Sequence, residues 1–235
     1  MKKFITVLCF VLCFALLIGC AADQDDTEQE LPTNGEEQGL EMEEPEAPDG
    51  RVPLEELLAN TIQATITMED GGEIVLELFP DLAPQTVRNF VYLAREGFYD
   101  GVRFHRIMNG FMIQGGCPYG SGTGSPGYFI FGEFEANGFV NDLSHTRGVI
   151  SMARRPDPAF NSAGSQFFIT NGDATFLDGD YAGFGRVIYG MDVVDAIALT
   201  PNSGPNGQVD FDLMPVIASI VIDSDIELPP PHKIQ

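Results

Sequence analysis

The chain has 235 residues, 44% of them apolar, and a formal net charge of −23 from 35 acidic and 12 basic side chains. That length suits one domain with appendages and is short for two lobes joined by a hinge, as a solute-binding lipoprotein would need. The acidic balance excludes nucleic acid as an expected partner, because phosphate recognition needs clustered Lys and Arg.

Residues 1–20 read as a targeting signal. Lys2 and Lys3 precede an apolar run from Phe4 to Ile18, shorter than the roughly 20 residues that cross a bilayer as a helix. The run ends on Leu17-Ile18-Gly19-Cys20, which resembles the lipobox of bacterial lipoproteins. That resemblance implies cleavage before Cys20 and acylation of its sulfur (a diacylglycerol or palmitate-type anchor), and two acyl chains hold a protein on a membrane stably where one is marginal. The alternative is an ordinary secretory signal with a chance Cys. Loss of Cys9 and Cys13 with the signal leaves Cys117 as the lone thiol of the folded part, so no internal disulfide is expected. A lone Cys without a nearby His reads as a small buried side chain.

Residues 21–60 are an acidic tether with 14 Asp or Glu against one Arg. They hold too little apolar surface to offset ordering entropy, and like charges keep such a segment extended. A turn of helix is expected over 51–60. The folded domain is expected over 61–224. Thr61–Met68 and Glu73–Phe79 read as strands of a hairpin about Glu69-Asp70-Gly71-Gly72. Pro84 suits a first helical turn, and Val87, Phe90, Val91, Leu93 and Ala94 form a helical stripe ended by Gly97. Strands are predicted at Val102–Ile107, Phe111–Gln114, Tyr128–Phe131, Val149–Ala153, Gln166–Thr170, Gly183–Ile188 and Pro215–Ile222, and a second helix at Met191–Leu199. The glycine-rich loop Gly120–Gly127 precedes no Lys-Ser/Thr helix start, so it is not read as a phosphate cradle. The Pro-rich tail, 225–235, is expected to be extended and mobile. Short strands, glycine turns and two helices predict a mainly β fold, a closed antiparallel barrel.

Two stretches carry the chemistry. Phe104-His105-Arg106-Ile107-Met108-Asn109-Gly110-Phe111-Met112-Ile113-Gln114-Gly115-Gly116 sets a permanent cation beside bulky apolar groups and a neutral amide. Gly164-Ser165-Gln166-Phe167-Phe168-Ile169-Thr170 looks like its partner. Strand alternation puts Phe167 in a core and Phe168 on the opposite face. His105 should point away from Arg106 as a satisfied interior residue. The three His residues are too scattered for a metal site. Asp178 with Gly179 reads as a turn.

These stretches, with Pro84-Gln85-Thr86-Val87-Arg88-Asn89-Phe90, Gly122-Thr123-Gly124, Ser151-Met152-Ala153, Phe176-Leu177-Asp178-Gly179 and Phe184-Gly185-Arg186-Val187, resemble the cyclophilin family of peptidyl-prolyl cis–trans isomerases in order and spacing over residues 62–222. The resemblance implies a closed eight-stranded antiparallel β-barrel capped by two α-helices, no cofactor and no metal. It assigns the catalytic role to Arg106. Phe111, Met112, Phe168 and Leu177 would line the proline pocket. Gln114 would hydrogen-bond the substrate backbone, Ala153 and Arg154 would pair with the peptide as an added strand, and Gly122 would border a neighbouring subsite. Three positions depart from the family's pattern. Phe176 stands for a tryptophan and lacks its N–H donor, which predicts weak cyclosporin binding. Tyr181 stands for a histidine. Arg154 stands for an asparagine, and its charge is expected to favour acidic residues near the substrate proline. The expectation is a monomeric prolyl isomerase outside the cytoplasm, tethered to the bacterial membrane through Cys20 and acting on proline-containing secreted or surface polypeptides. A non-enzymatic proline-peptide binder on the same barrel is the rival.

Overall fold

The computed structural model describes residues 60–202 and 204–235. The expected targeting signal, Cys20, the expected tether and nearly all of the helical turn expected over 51–60 lie outside the described residues. Among the described residues, no helix is long and apolar enough to cross a membrane.

β1 (Ile62–Met68) and β2 (Glu73–Leu78) form the expected hairpin. Ile62, Ala64, Ile66 and Met68 are buried while their neighbours are not, as a pleat with one covered face requires. The turn closes with Met68 accepting from Gly71 N at 3.0 Å, where φ of +87° needs glycine. Helix α1 (Pro84–Arg95) begins on proline, and its N-cap residue Ala83 has no side-chain acceptor. The buried carboxylate of Glu133 does that work from 47 residues away. It accepts from Gln85 N, Thr86 N and Thr86 Oγ1, each at 2.8 Å, which satisfies orphan donors at the positive end of the helix. Burial nevertheless pushes the Glu133 carboxyl up from its ordinary pKa, against the pull of those hydrogen bonds.

The remaining strands and α-helix are β3 (Arg106–Met108), β4 (Met112–Gly115), β5 (Val149–Met152), β6 (Phe167–Thr170), β7 (Gly183–Tyr189), α2 (Met191–Ala198) and β8 (Ile217–Asp223), with short 3-10 turns between them. All pairings are antiparallel, in the order β3-β4-β6-β5-β7-β2-β1-β8. Among the described residues the eight strands and two α-helices match the count that the resemblance implies, one strand fewer than the nine read from the residue pattern. Complete closure is the point of difference, since the ladder is a curled half-barrel open between β3 and β8. The gap is crossed by backbone bonds from the extended segment before β3: Gly101 N to Ile217 O (2.8 Å), Ile217 N to Val102 O (2.8 Å) and Phe104 N to Pro215 O (2.9 Å). The strand expected from Val102 is therefore shorter, because residues 101–104 turn to this seam.

The curl encloses an aromatic core. Phe90 of α1 meets Phe167 of β6 edge-on at 5.5 Å, and Tyr99 meets Phe167 at 5.6 Å. Phe90, Tyr99, Phe104, Phe167 and Phe184 are fully buried. Residues 128–131 are not a ladder strand. Phe129 instead pairs with Ile234, and Ile130 with Ala163. The C-terminal tail is thus extended but docked. Arg95 donates to Ser224 O and Ile226 O, Lys233 sits 4.5 Å from the Tyr128 ring, and Gln85 Oε1 accepts from His232 N.

Candidate active site

Antiparallel register builds the site. Arg106 on β3 lies opposite Gln114 on β4, Gln114 opposite Phe168 on β6, and Phe168 opposite Ser151 on β5. Met108 lies opposite Met112. Because side chains alternate, Arg106, Met108, Met112, Gln114 and Phe168 share one face, while Ile107, Ile113 and Phe167 enter the core on the other. Phe168, Met112, Ala174 and Leu177 form a buried apolar floor, against which Met108, Phe111, Ala153 and Tyr181 pack.

Arg106 is half-buried beside this floor. Its Nε donates to Asn206 O at 2.9 Å, Nη1 to Gln114 Oε1 at 3.2 Å, and Nη2 to Met108 Sδ at 3.2 Å, with Met112 Sδ 3.7 Å from Nη1. Burial lowers its pKa from the ordinary value, though arginine stays charged. Gln114 donates in turn to Gln166 Oε1 at 3.1 Å, and Gln166 Nε2 to Gly122 O and Gly124 O, each at 2.9 Å. In this arrangement Gln114 orients Arg106 and ties it to the glycine-rich loop. Thioethers are weak acceptors, so the Nη2 edge is the least committed part of the guanidinium.

The other sequence-nominated residues fall around the same floor. Phe176 is 71% exposed at the rim, its ring 5.4 Å from that of Phe111. Tyr181 meets Phe168 edge-on at 5.8 Å. Gly122 is exposed in its loop at φ +77°, where a Cβ would meet the His105 ring at 3.3 Å. Ala153 N donates to Gln166 O at 2.9 Å, so this N–H is not offered to a peptide. Arg154 departs from expectation. Its side chain is 5% exposed and paired with Asp157 at 2.7 Å, with Nε donating to Asp180 O. Its guanidinium stands over the rings of Tyr181, Phe134 and Phe160. The charge expected to meet acidic substrates is thus neutralised inside a loop.

Behind Phe168 lies a polar chain that the residue pattern did not reveal. His145 Nδ1 is 2.9 Å from Asp178 Oδ1, and its Nε2 is 3.0 Å from Ser151 Oγ. The His145 ring stacks on Phe168 with centroids 6.1 Å apart. Asp178 is more than a turn residue, since it also accepts from His145 N and Ser144 Oγ. The Asp–His–Ser order invites comparison with an activated serine, yet Ser151 is fully buried and reaches no peptide. It is a scaffold under the floor. His105 is buried as expected, but its Nδ1 has no hydrogen-bonding partner among the described residues.

Sequence reasoning also missed Gln166 and Asn206. Gln166 was findable, since it stands two residues before Phe168, immediately ahead of β6. Asn206 lies 100 residues from Arg106. It adopts φ +60° in the turn Pro205-Asn206-Gly207, a conformation Asn tolerates better than most residues. The turn lies tight on β3, and a Cβ on Gly207 would stand 2.4 Å from Ile107 O.

A fixed cation beside an apolar floor on a curled antiparallel sheet is chemically suited to gripping a ring and donating to a neighbouring backbone group. Residues 63–218 match the family model "Cyclophilin type peptidyl-prolyl cis-trans isomerase/CLD", and the chain belongs to that family of enzymes. It is 48% identical over 145 residues to a peptidyl-prolyl cis–trans isomerase of Helicobacter pylori, covering 61% of this chain and 84% of the relative. It is 47% identical over 125 residues to peptidyl-prolyl cis–trans isomerase B of Bacillus subtilis, covering 53% and 82%. A crystal structure of a cyclophilin-type isomerase from Cryptosporidium parvum superposes with a TM-score of 0.62 at 31% identity, covering 71% of this chain and all of that one.

Proposed function

We propose that this isomerase works through Arg106 on proline-containing polypeptides outside the cytoplasm, held at the membrane by a lipid on Cys20. The uncatalysed barrier to amide rotation is about 18–20 kcal/mol, because resonance stiffens the C–N bond. In the twisted amide the prolyl nitrogen is pyramidal and its lone pair can accept a hydrogen bond. Arg106 donates to that nitrogen, an interaction absent from either planar ground state, while the floor of Met112, Phe168 and Leu177 holds the proline ring. This is binding of the transition state in preference to the substrate. An acceleration of about 10⁵ needs only about 7 kcal/mol, which a charged hydrogen bond in a partly dry site plus a rigid grip can supply.

The observation that carries the reading is the guanidinium held beside the floor by Asn206 O and Gln114 Oε1, with its Nη2 edge on a weak thioether. A protease-coupled assay on a short X–Pro peptide tests it. Acceleration by the wild-type chain and its loss in Arg106→Ala are expected. No acceleration above background would favour a proline-peptide binder. The anchor rests on the sequence around Cys20, and fatty-acid labelling that survives Cys20→Ala would refute it. Slow prolyl isomerisation limits the folding of many polypeptides, so an anchored catalyst meets exported clients where they fold.

A further inference from the structure

Beside the apolar floor, sharing Ala153 with its edge and lined by the Gln114 that orients Arg106, opens a cavity of about 430 Å³. Its wall is mixed: Phe129, Ala153 and Pro156 are apolar, while Thr123, Ser125, Ser162 and Gln166 present hydroxyls and an amide. The chain carries a net charge of −23, yet no Asp or Glu lines this cavity. Two cations do, Arg154 and Arg155, and they differ in what remains of their charge. Arg154 is spent on Asp157, on two backbone carbonyls and on three rings. Arg155 is exposed, and among the described residues its guanidinium makes no hydrogen bond or ion pair. It is nonetheless held in place. Its backbone N donates to Ser162 Oγ at 2.9 Å, and the guanidinium lies 4.6 Å from the Phe129 ring centroid. Phe129 is itself pinned by two backbone hydrogen bonds to Ile234 of the docked tail.

Stacking on a ring uses the face of a guanidinium and leaves its in-plane N–H fork free, the edge that matches a carboxylate. We infer that this cavity receives an acidic side chain flanking the substrate proline and that Arg155 is the residue that selects it. The inference rests on the isomerase reading of the adjoining floor and names the client class that the site prefers: polypeptides with Asp or Glu close to the isomerised proline. The repulsion of the acidic domain as a whole acts over distances that salt screens beyond about 8 Å, whereas a contact pair in the cavity is screened less.

The test is a peptide set with Glu, Gln or Lys at each position within two residues of a single proline, assayed for isomerisation by the full chain and by Arg155→Ala and Arg155→Glu. Ratios taken within one protein cancel differences in folded fraction. At one position the wild type is expected to turn over the Glu peptide about threefold faster in kcat/KM than the Lys peptide, the scale of a part-exposed ion pair. Arg155→Ala removes the ratio and Arg155→Glu inverts it. Equal rates for Glu and Lys at every position, with isomerisation intact, overturn the inference and leave the activity standing. A preference unchanged in Arg155→Ala also overturns it. A chain that accelerates none of the peptides overturns the activity reading and this inference together.

Discussion

Phe167 and Phe168 are chain neighbours that serve two different regions. Phe167 enters the main core, where Phe90, Tyr99 and Phe104 pack around it edge-on within 6.0 Å. Phe168 enters a small separate cluster with Met112, Ala174 and Leu177, beside a cation and a rim of half-buried side chains. The first region is filled by its own atoms. The second is small and edged by partly buried side chains, and in the proposed function it holds the proline ring. One strand therefore divides stability from recognition through the period of its pleat, and changes on the two faces should have separable effects.

The largest effect should fall on the filled side. Phe167→Ala leaves a sealed cavity and should cost about 3–5 kcal/mol of unfolding free energy. Phe168→Ala opens onto solvent, should cost clearly less, and should raise KM for X–Pro peptides. Denaturant unfolding alongside kinetics separates the two, and equal stability losses would break the comparison. Next comes Gly207→Ala. Its Cβ has no room against Ile107 O, and φ of +77° adds strain, so the turn must lift and take the Asn206 carbonyl from Arg106. The expected result is kcat lower on the order of thirtyfold, because small displacements of a catalytic group are costly. KM should change little, a split that general destabilisation would not produce.

A smaller effect is pH dependence. Burial pushes both His105 and His145 below their ordinary pKa of 6.5, His145 despite the opposing pull of Asp178. The unfolded chain gains protons near pH 6.5 and the folded chain does not. This contribution to stability is therefore whole above that pH and is lost as pH falls below it, at no more than about 1.4 kcal/mol per histidine per pH unit. Glu133, pushed up by burial, acts in the opposite sense upward from 4.5. Melting curves between pH 7.5 and 5.5 check the sign, and a flat profile would mean that the rings are not held neutral. The smallest effect is at the rim. Phe176→Trp restores an N–H donor and should tighten cyclosporin about fivefold, one hydrogen bond's worth, with proline-peptide kinetics unchanged within twofold by the same titration.

What the residue pattern made legible is local. Alternation located β1 and β2 to within a residue, the apolar stripe located α1, and the pleat separated Phe167 from Phe168. Features joined across long separations were not legible. Glu133 caps a helix that ended 38 residues before it, Asn206 reaches Arg106 from a turn of its own, and Ile234 pairs with Phe129 through a Pro-rich segment that composition marks as mobile. Arg154 misled for a related reason. A residue type reports that a charge exists, while its fold-back onto Asp157 and three rings decides whether that charge is available.

The claim on which the rest depends is that Arg106 acts on the twisted amide more than on the bound peptide. The most direct measurement is NMR exchange spectroscopy of an X–Pro peptide at equilibrium, with affinity and cis–trans exchange read in the same titration for wild type and Arg106→Gln. The account predicts peptide affinity within about threefold and enzyme-bound exchange slower by about a hundredfold or more, the loss expected of one charged transition-state hydrogen bond. Exchange that stays fast in Arg106→Gln, or that slows only in proportion to lost affinity, would contradict it.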